Sequence, residues 1–230
     1  MKRILIGCPS YNAHAHSQVN ERLNQASKLH KVRVYPESGS ILPEVFNKLW
    51  CAALNGYRRS LIDYFVMLHA DVVPEPGWVD KLVELQQAHD ADILSVVLPV
   101  KDNTGRTSTA LGGDDPWDIR RILTLKECHS LPKVFSAIDC RHLVTAPSQL
   151  LVNTGCFIAD LSKSWTTKHH FTLESDIVDD GKEFRVRASR SEDWNMSRFV
   201  NSAGGRVFAT TAIFCLHYGG VYFGNDNWGN

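Results

Sequence analysis

The residues that could do chemistry here are two short acidic stretches and a late histidine. His69-Ala70-Asp71 directly follows the apolar run Tyr64 to Leu68, and Val72-Val73-Pro74 and Trp78 come after it. A carboxylate at the end of a buried strand stands on the rim of a sheet, where it can hold a hard divalent cation through oxygen. Such a cation neutralises a diphosphate and helps it leave. The same aspartate on its own also reads as the cap of a turn. Ser191-Glu192-Asp193-Trp194 puts two acids at a helix start. One of them can serve as a general base, although Ser191 is a good N-cap and acids in a first turn complement the helix dipole. His217 ends a late apolar run and reads either as a metal ligand or as a hydrogen-bonded structural residue. His14 and His16 alternate on a loop without a specific metal spacing.

Cations gather at Arg185, Arg187 and Arg190, and again at Arg120, Arg121 and Lys126. They form either a solvated face or a grip on a diphosphate or an anionic acceptor. Trp117, Trp194 and the tail from Tyr218 to Trp228 offer rings that stack on a sugar or base, or that fill a core.

The elements that must position these groups alternate. Arg3 to Cys8 reads as a buried strand that Pro9-Ser10-Tyr11-Asn12 ends in a loop. Ser17 opens a helix with Val19, Leu23, Ala26 and Leu29 on one face, and Val32 to Tyr35 is a second strand. Pro43 suits the first turn of a helix that buries Val45, Phe46, Leu49, Trp50 and Ala53 and stops at Gly56. Tyr64 to Leu68 is a third strand, Trp78 to His89 a helix and Ile93 to Leu98 a fourth strand. Strand and helix in alternation imply a parallel sheet covered on both faces, with ligands bound beyond the carboxyl ends of the strands. Ser10, Tyr11 and Asp71 fall there. From Asp102 to Leu150 the periodicity fades, apart from an amphipathic piece at Trp117 to Lys126. Leu151 to Ala159 returns to strand character. Ser191 to Ala203 is a helix closed by Gly204-Gly205, and Val207 to Thr210 and Ile213 to His217 are short strands.

The 230 residues suffice for one sizeable α/β domain. Lys plus Arg and Asp plus Glu are 25 each, so no global field draws in nucleic acid or an anionic membrane. None of the six cysteines forms a CxxC pair, and Cys8, Cys51 and Cys215 lie in apolar runs that read as buried thiols in a reducing compartment. The apolar run after Met1-Lys2-Arg3 is too short for a signal segment, and no run approaches a membrane span. A cytoplasmic location is expected.

Taken in order, these stretches resemble the GT-A glycosyltransferases, above all the large inverting group called family 2. In that family a central strand ends in a DxD-type motif, often followed by Pro and Trp. Asp71 matches its last Asp, the usual metal ligand, and His69 stands where the first Asp is usual. Cys8-Pro9-Ser10-Tyr11-Asn12 resembles the opening loop that wraps the nucleotide base. Asn47 lies on the helix where the family often has an Asn near the donor. Ser191-Glu192-Asp193-Trp194 resembles the xED motif, whose Asp is the catalytic base, and His217 matches the His that often completes the metal site.

The resemblance implies a single GT-A-like (Rossmann-like) α/β domain with a mainly parallel central sheet flanked by helices. Residues 1–100 would be its nucleotide-sugar half and residues 101–230 its acceptor side. It implies sugar transfer from a UDP-sugar to an acceptor hydroxyl, with inversion, aided by Mn²⁺ or Mg²⁺. Pro9, Ser10, Tyr11, Glu37, Asn47, His69, Ala70 and Asp71 would meet the donor, Glu37 by its place just after the second strand. Asp71, His217 and His69 would hold the metal, Asp193 with Glu192 beside it would do the catalysis, and Trp194 would meet the acceptor. The compact chain resembles small phage-type members, so the acceptor is either a glycan or a hydroxymethylated base in DNA. A nucleotidyltransferase is an alternative, but Pro9 to Ser17 lacks the Gly-rich, basic loop it would need. A non-catalytic sugar- or nucleotide-binding module is another, because His69 replaces an Asp.

Overall fold

The computed structural model describes every residue except 12, 13, 116, 189, 190 and 227–230. Asn12 of the opening loop, Arg190 and Trp228 therefore lie outside the described residues. The chain runs β1 (Arg3–Ser10), α1 (Ser17–Asn24), β2 (Lys31–Ser38), α2 (Leu42–Arg58), β3 (Tyr64–Leu68), β4 (Val72–Pro74), α3 (Trp78–Ala88) and β5 (Ile93–Val96). It continues with β6 (Arg106–Gly112), β7 (Ile119–Thr124), α4 (Leu125–Ser130), β8 (Val134–Phe135), β9 (Gln149–Leu151) and β10 (Cys156–Asp160). The remaining elements are β11 (Ser175–Asp179), β12 (Phe184–Ala188), α5 (Glu192–Ser202), β13 (Val207–Thr210), β14 (Cys215–Tyr218) and β15 (Tyr222–Gly224).

The central sheet has seven strands in the order β2-β1-β3-β10-β5-β13-β8. β2, β1, β3, β5 and β13 run in one direction, and β10 and β8 run against them. Side chains alternate across a strand, and the core divides accordingly. Leu5, Phe65 and Met67 face a cluster with Val45, Phe46, Leu49, Trp50 and Ala53 of α2. Ile4, Ile6, Tyr64, Val66 and Leu68 face the opposite cluster with Val19 of α1 and Trp78, Val79, Leu82 and Val83 of α3. Both faces are covered, which is why these strands read as continuous apolar runs. At the shared strand ends, β1 delivers Ser10, β3 delivers His69 to Asp71, and the chain leaving β5 delivers Pro99 to Lys101. Antiparallel β10 begins at this same rim, pairing Cys156 with Leu68.

The structure corrects several sequence expectations. α2 does not stop at Gly56 but runs to Arg58 and turns at Ser60, whose φ is +55°. Gly56 instead makes room for Ile62, whose Cγ1 would lie 2.6 Å from a Cβ there. α1 ends at Asn24, so Leu29 falls outside its apolar face and is 66% exposed. Cys51 is exposed, whereas Cys128, Cys140 and Cys156 join Cys8 and Cys215 inside. The stretch expected to be irregular holds a second sheet, β7-β6-β9. Its presumed amphipathic piece is a strand followed by α4, which opens with a capping box of Thr124 and Glu127. Leu151 to Ala159 is two strands parted by the turn at residues 152–155, where Gly155 N donates to Asn153 Oδ1 at 3.0 Å. The β11–β12 hairpin had no counterpart in the sequence reading.

Candidate active site

Two local devices bring Asp71 and His217 together across the sequence. β4 leaves the rim directly after Asp71 and pairs antiparallel with β14, setting His217 opposite Val72. Tyr218 N then donates to Asp71 O at 2.8 Å. In this register His217 Nε2 lies 3.8 Å from Asp71 Oδ2. Its other ring nitrogen, Nδ1, is 2.9 Å from Pro99 O. A carbonyl can only accept, so Nδ1 carries the proton and Nε2 turns a lone pair toward Asp71. Burial pushes the His217 imidazole toward its neutral form.

Lys101 Nζ donates to the same Asp71 Oδ2. Burial alone would push the Asp71 carboxyl up, but the Lys101 hydrogen bond and the neighbouring positive charges hold it below the ordinary range. His69 stands beside the pair, half-buried against the Phe46 ring at 5.3 Å between centroids. Burial pushes its pKa down to about 4, although Asp71 pulls the other way. These residues floor a cleft of about 640 Å³ whose walls include Pro9, Ser10, Tyr11, Ala70, His16 and Tyr218. Tyr11 presents its ring to the opening at 78% exposure. Tyr222 reaches His16 from β15, its hydroxyl 3.0 Å from the ring Nε2.

A second recess of about 280 Å³ opens beside the first, walled by Val100, Arg106, Ser108, Ile122, Ser191, Asp193 and Trp194. Ser191 caps α5, its hydroxyl accepting from Asp193 N at 3.1 Å. Trp194 is buried and donates its indole N–H to Ser108 O at 3.0 Å. Burial raises the Asp193 carboxyl, opposed by hydrogen bonds from Thr154 and Ser191. Glu192 is pushed up to about 7 by burial and then by the charge of Asp193.

Between the two cavities stands Thr154, fully buried in the turn before β10. Its hydroxyl donates to Asp193 Oδ1, and its oxygen is 3.4 Å from His69 Nε2. His69 is fixed on its side by its backbone N–H, which donates to Gly155 O at 2.9 Å.

Other sequence candidates lie apart from this centre. Asn47 ties α2 to the chain at Phe171, donating from Nδ2 to Phe171 O at 2.9 Å and accepting at Oδ1 from Phe171 N at 2.8 Å. Glu37 neighbours Pro9 in the sheet register and pairs with Lys48 at 3.5 Å, outside the lining of the cleft. The arginines bind their own chain: Arg185 pairs with Asp180 and Glu183, Arg121 with Glu127 and Arg120 with Asp118. Arg187 pairs with Asp176 and lies 4.5 Å over the Trp117 ring.

Among the described residues no group of three or more His, Cys, Asp or Glu gathers as a metal cage, so His69 does not complete one with Asp71 and His217. Lys101 and Thr154 escaped the sequence reading, and Tyr218 entered it only as one ring of the aromatic tail. Lys101 alone left a signal, a cation just past the apolar run from Ile93 to Leu98 and hence at the same rim as Asp71.

The family model described as "Glycosyl transferase family 2" matches residues 21–140, more than half of the chain. No curated protein sequence matches the chain. Among solved structures, A197 from STIV is similar at 13% identity and a TM-score of 0.52, covering 94% of this chain and 85% of that one. S. aureus TarS 1-349 is similar at 11% identity and a TM-score of 0.44, covering 91% of this chain and 58% of that one. HddC from Yersinia pseudotuberculosis follows at 13% identity and a TM-score of 0.37, covering 94% and 73%. The A197 likeness concerns the fold, and the family match adds the activity class: the chain belongs to glycosyl transferase family 2 and is a glycosyltransferase with a GT-A-like α/β fold.

Proposed function

We propose that the protein moves a sugar from a uridine-type nucleotide sugar onto an acceptor hydroxyl with inversion, using the larger cleft for the donor and the smaller recess for the acceptor. The observation that carries this reading is the separation of roles. Asp71 and His217 face the larger cleft, Asp193 faces the recess, and His69 and Thr154 stand between them. In-line displacement puts nucleophile and leaving group on opposite sides of the anomeric carbon, so base and diphosphate site cannot share a face.

Pro9, Ser10 and Tyr11 form the base wall. Asp193 takes the acceptor proton, steadied by Thr154 and Ser191, and Trp194 backs the acceptor. Asp71 and His217 suit Mn²⁺ or Mg²⁺: one is an ionised carboxylate, the other a neutral imidazole whose lone pair is set by Pro99 O, the outer partner such a ligand needs. When bound, that cation neutralises charge on the departing diphosphate. For the acceptor, a glycan hydroxyl is the better reading than a hydroxymethylated DNA base. The described arginines that would grip a phosphate backbone are paired with carboxylates of their own chain. No helix among the described residues is long and apolar enough to cross a membrane, and a cytoplasmic location belongs to the same reading.

The test is a panel of labelled UDP-sugars offered with glycan and with hydroxymethylated DNA acceptors, the product's anomeric configuration being read by NMR. Inverted product on a glycan is expected. Retained configuration contradicts the base assignment, and transfer to DNA replaces the acceptor. Absence of transfer from any donor favours a binding module.

A further inference from the structure

The Asp71 oxygen nearest His217 already has a cation on it. Lys101 Nζ donates to Oδ2, the same atom that lies 3.8 Å from His217 Nε2. A divalent ion and this ammonium therefore compete for one carboxylate oxygen. The lysine is also aimed. A Cβ at Gly219 would fall 2.8–3.1 Å from the Cβ, Cγ and Cδ of Lys101, so the stem lies across bare backbone in the β14–β15 turn and only its outer end is free to swing. Among the described residues that line the cleft, Asp71 is the one carboxylate and Lys101 the one ammonium. Together they leave the cleft without net charge to offer a diphosphate. Both side chains are about a third exposed, 38% for Lys101 and 35% for Asp71. An ion pair in such a setting is weak and easily exchanged. An ammonium on a flexible stem is also a good point-charge partner for phosphate oxygens.

We propose that Lys101 is a resident cation that holds Asp71 in the free protein and transfers to the donor's diphosphate, so that a divalent ion and the nucleotide are taken up together. The inference rests on the donor reading above. When Lys101 lets go of Asp71, that carboxylate becomes available to the divalent ion, and the freed ammonium adds a second positive charge against the leaving group. Two ligands that each favour the lysine's swung-out position help one another, and that help is reciprocal.

The test titrates the whole chain with Mn²⁺ alone, UDP alone and both together. Bound Mn²⁺ is read from loss of the free-ion EPR signal and UDP by calorimetry. Wild type, Lys101→Met and Lys101→Arg are compared after melting curves show that each is folded. In wild type, Mn²⁺ should bind weakly alone and about 10-fold or more tightly with UDP, within the usual range of such couplings. Lys101→Met should bind Mn²⁺ alone about 10-fold more tightly and UDP alone about 10-fold more weakly, with the coupling reduced to the part that the ion and the diphosphate make by direct contact. Lys101→Arg should keep the wild-type pattern. If wild type shows the coupling and Lys101→Met leaves the Mn²⁺ and UDP affinities unchanged, the lysine's role falls and the donor reading stands. If wild type binds neither Mn²⁺ nor UDP, both fall.

Discussion

Thr154 donates its hydroxyl proton to Asp193 Oδ1 from a fully buried position between the two cavities. The bond steadies the carboxylate in its charged form against the burial that raises its pKa. Thr154→Val removes the donor and keeps the shape. The acid limb of the pH–rate profile should move to higher pH, and kcat should fall about 10-fold, less than the roughly 10²–10⁴-fold that a general base contributes, because the base itself remains. Thr154→Ser should restore both. An unmoved pH profile in Thr154→Val would show that the hydroxyl only fills space.

Asp71 and His217 are assigned to one ion, so losing either should uncouple nucleotide binding from metal. In thermal-shift measurements with UDP, Mn²⁺ should add stabilisation to wild type by mass action, which reaches about 2.7 kcal/mol at a ligand concentration of 100 Kd. Asp71→Asn and His217→Gln should show the same melting temperature with and without Mn²⁺. A Mn²⁺-dependent shift that survives both substitutions would place the ion elsewhere.

Glu192 bears on stability through pH. Its ordinary pKa of 4.5 is raised to about 7 in the fold. Between those values the unfolded chain has lost the proton while the folded chain keeps it, so the fold binds more protons and stability falls as pH rises through that window. Asp193 is raised too and acts in the same direction. Glu192→Gln removes its own titration and should leave the protein more stable than wild type by on the order of 3 kcal/mol at pH 8, with little difference near pH 4.5. Urea unfolding at the two pH values measures this. An equal pH dependence in both proteins would mean that Glu192 ionises without cost.

Gly56 sets two effects against each other. Alanine is favoured over glycine inside a helix by about 1 kcal/mol. Its Cβ would lie 2.6 Å from Ile62 Cγ1 and 3.2 Å from Ile62 Cβ, atoms close to the backbone that cannot swing away. Overpacking of this kind costs about 1–3 kcal/mol. Gly56→Ala should therefore lower the urea midpoint, and a raised midpoint would mean that Ile62 relaxes freely.

The same glycine shows where sequence reading stops. The strands Tyr64–Leu68 and Val207–Thr210 and the apolar face of α2 are local patterns and were legible as such. Gly56 looked like a helix stop because the contact that makes it necessary, with Ile62, depends on how the chain turns back. Residues 102–150 lost their periodicity because β6 is buried almost throughout while β7 exposes Arg120 and Arg121 in succession and half-buries most of the rest, so neither strand repeats a simple alternation. The capping box at Thr124 and Glu127 was nevertheless readable there. Asp71, His217 and Asp193 could be picked out by residue type and resemblance. Their geometry could not, since His217 reaches Asp71 only through the β4–β14 pairing, and Lys101 reaches it from 30 residues away. Asn47 shows the reverse case, a polar residue whose side-chain amide bonds to backbone at Phe171.

The central claim is that Asp193 takes the acceptor's proton across the anomeric centre from the diphosphate site. The most direct measurement is single-turnover transfer by Asp193→Asn with donor and acceptor saturating, alongside UDP affinity. Asparagine keeps the shape and removes the base. The rate should fall about 10²–10⁴-fold while UDP affinity stays near the wild-type value. Transfer at close to the wild-type rate would contradict the account.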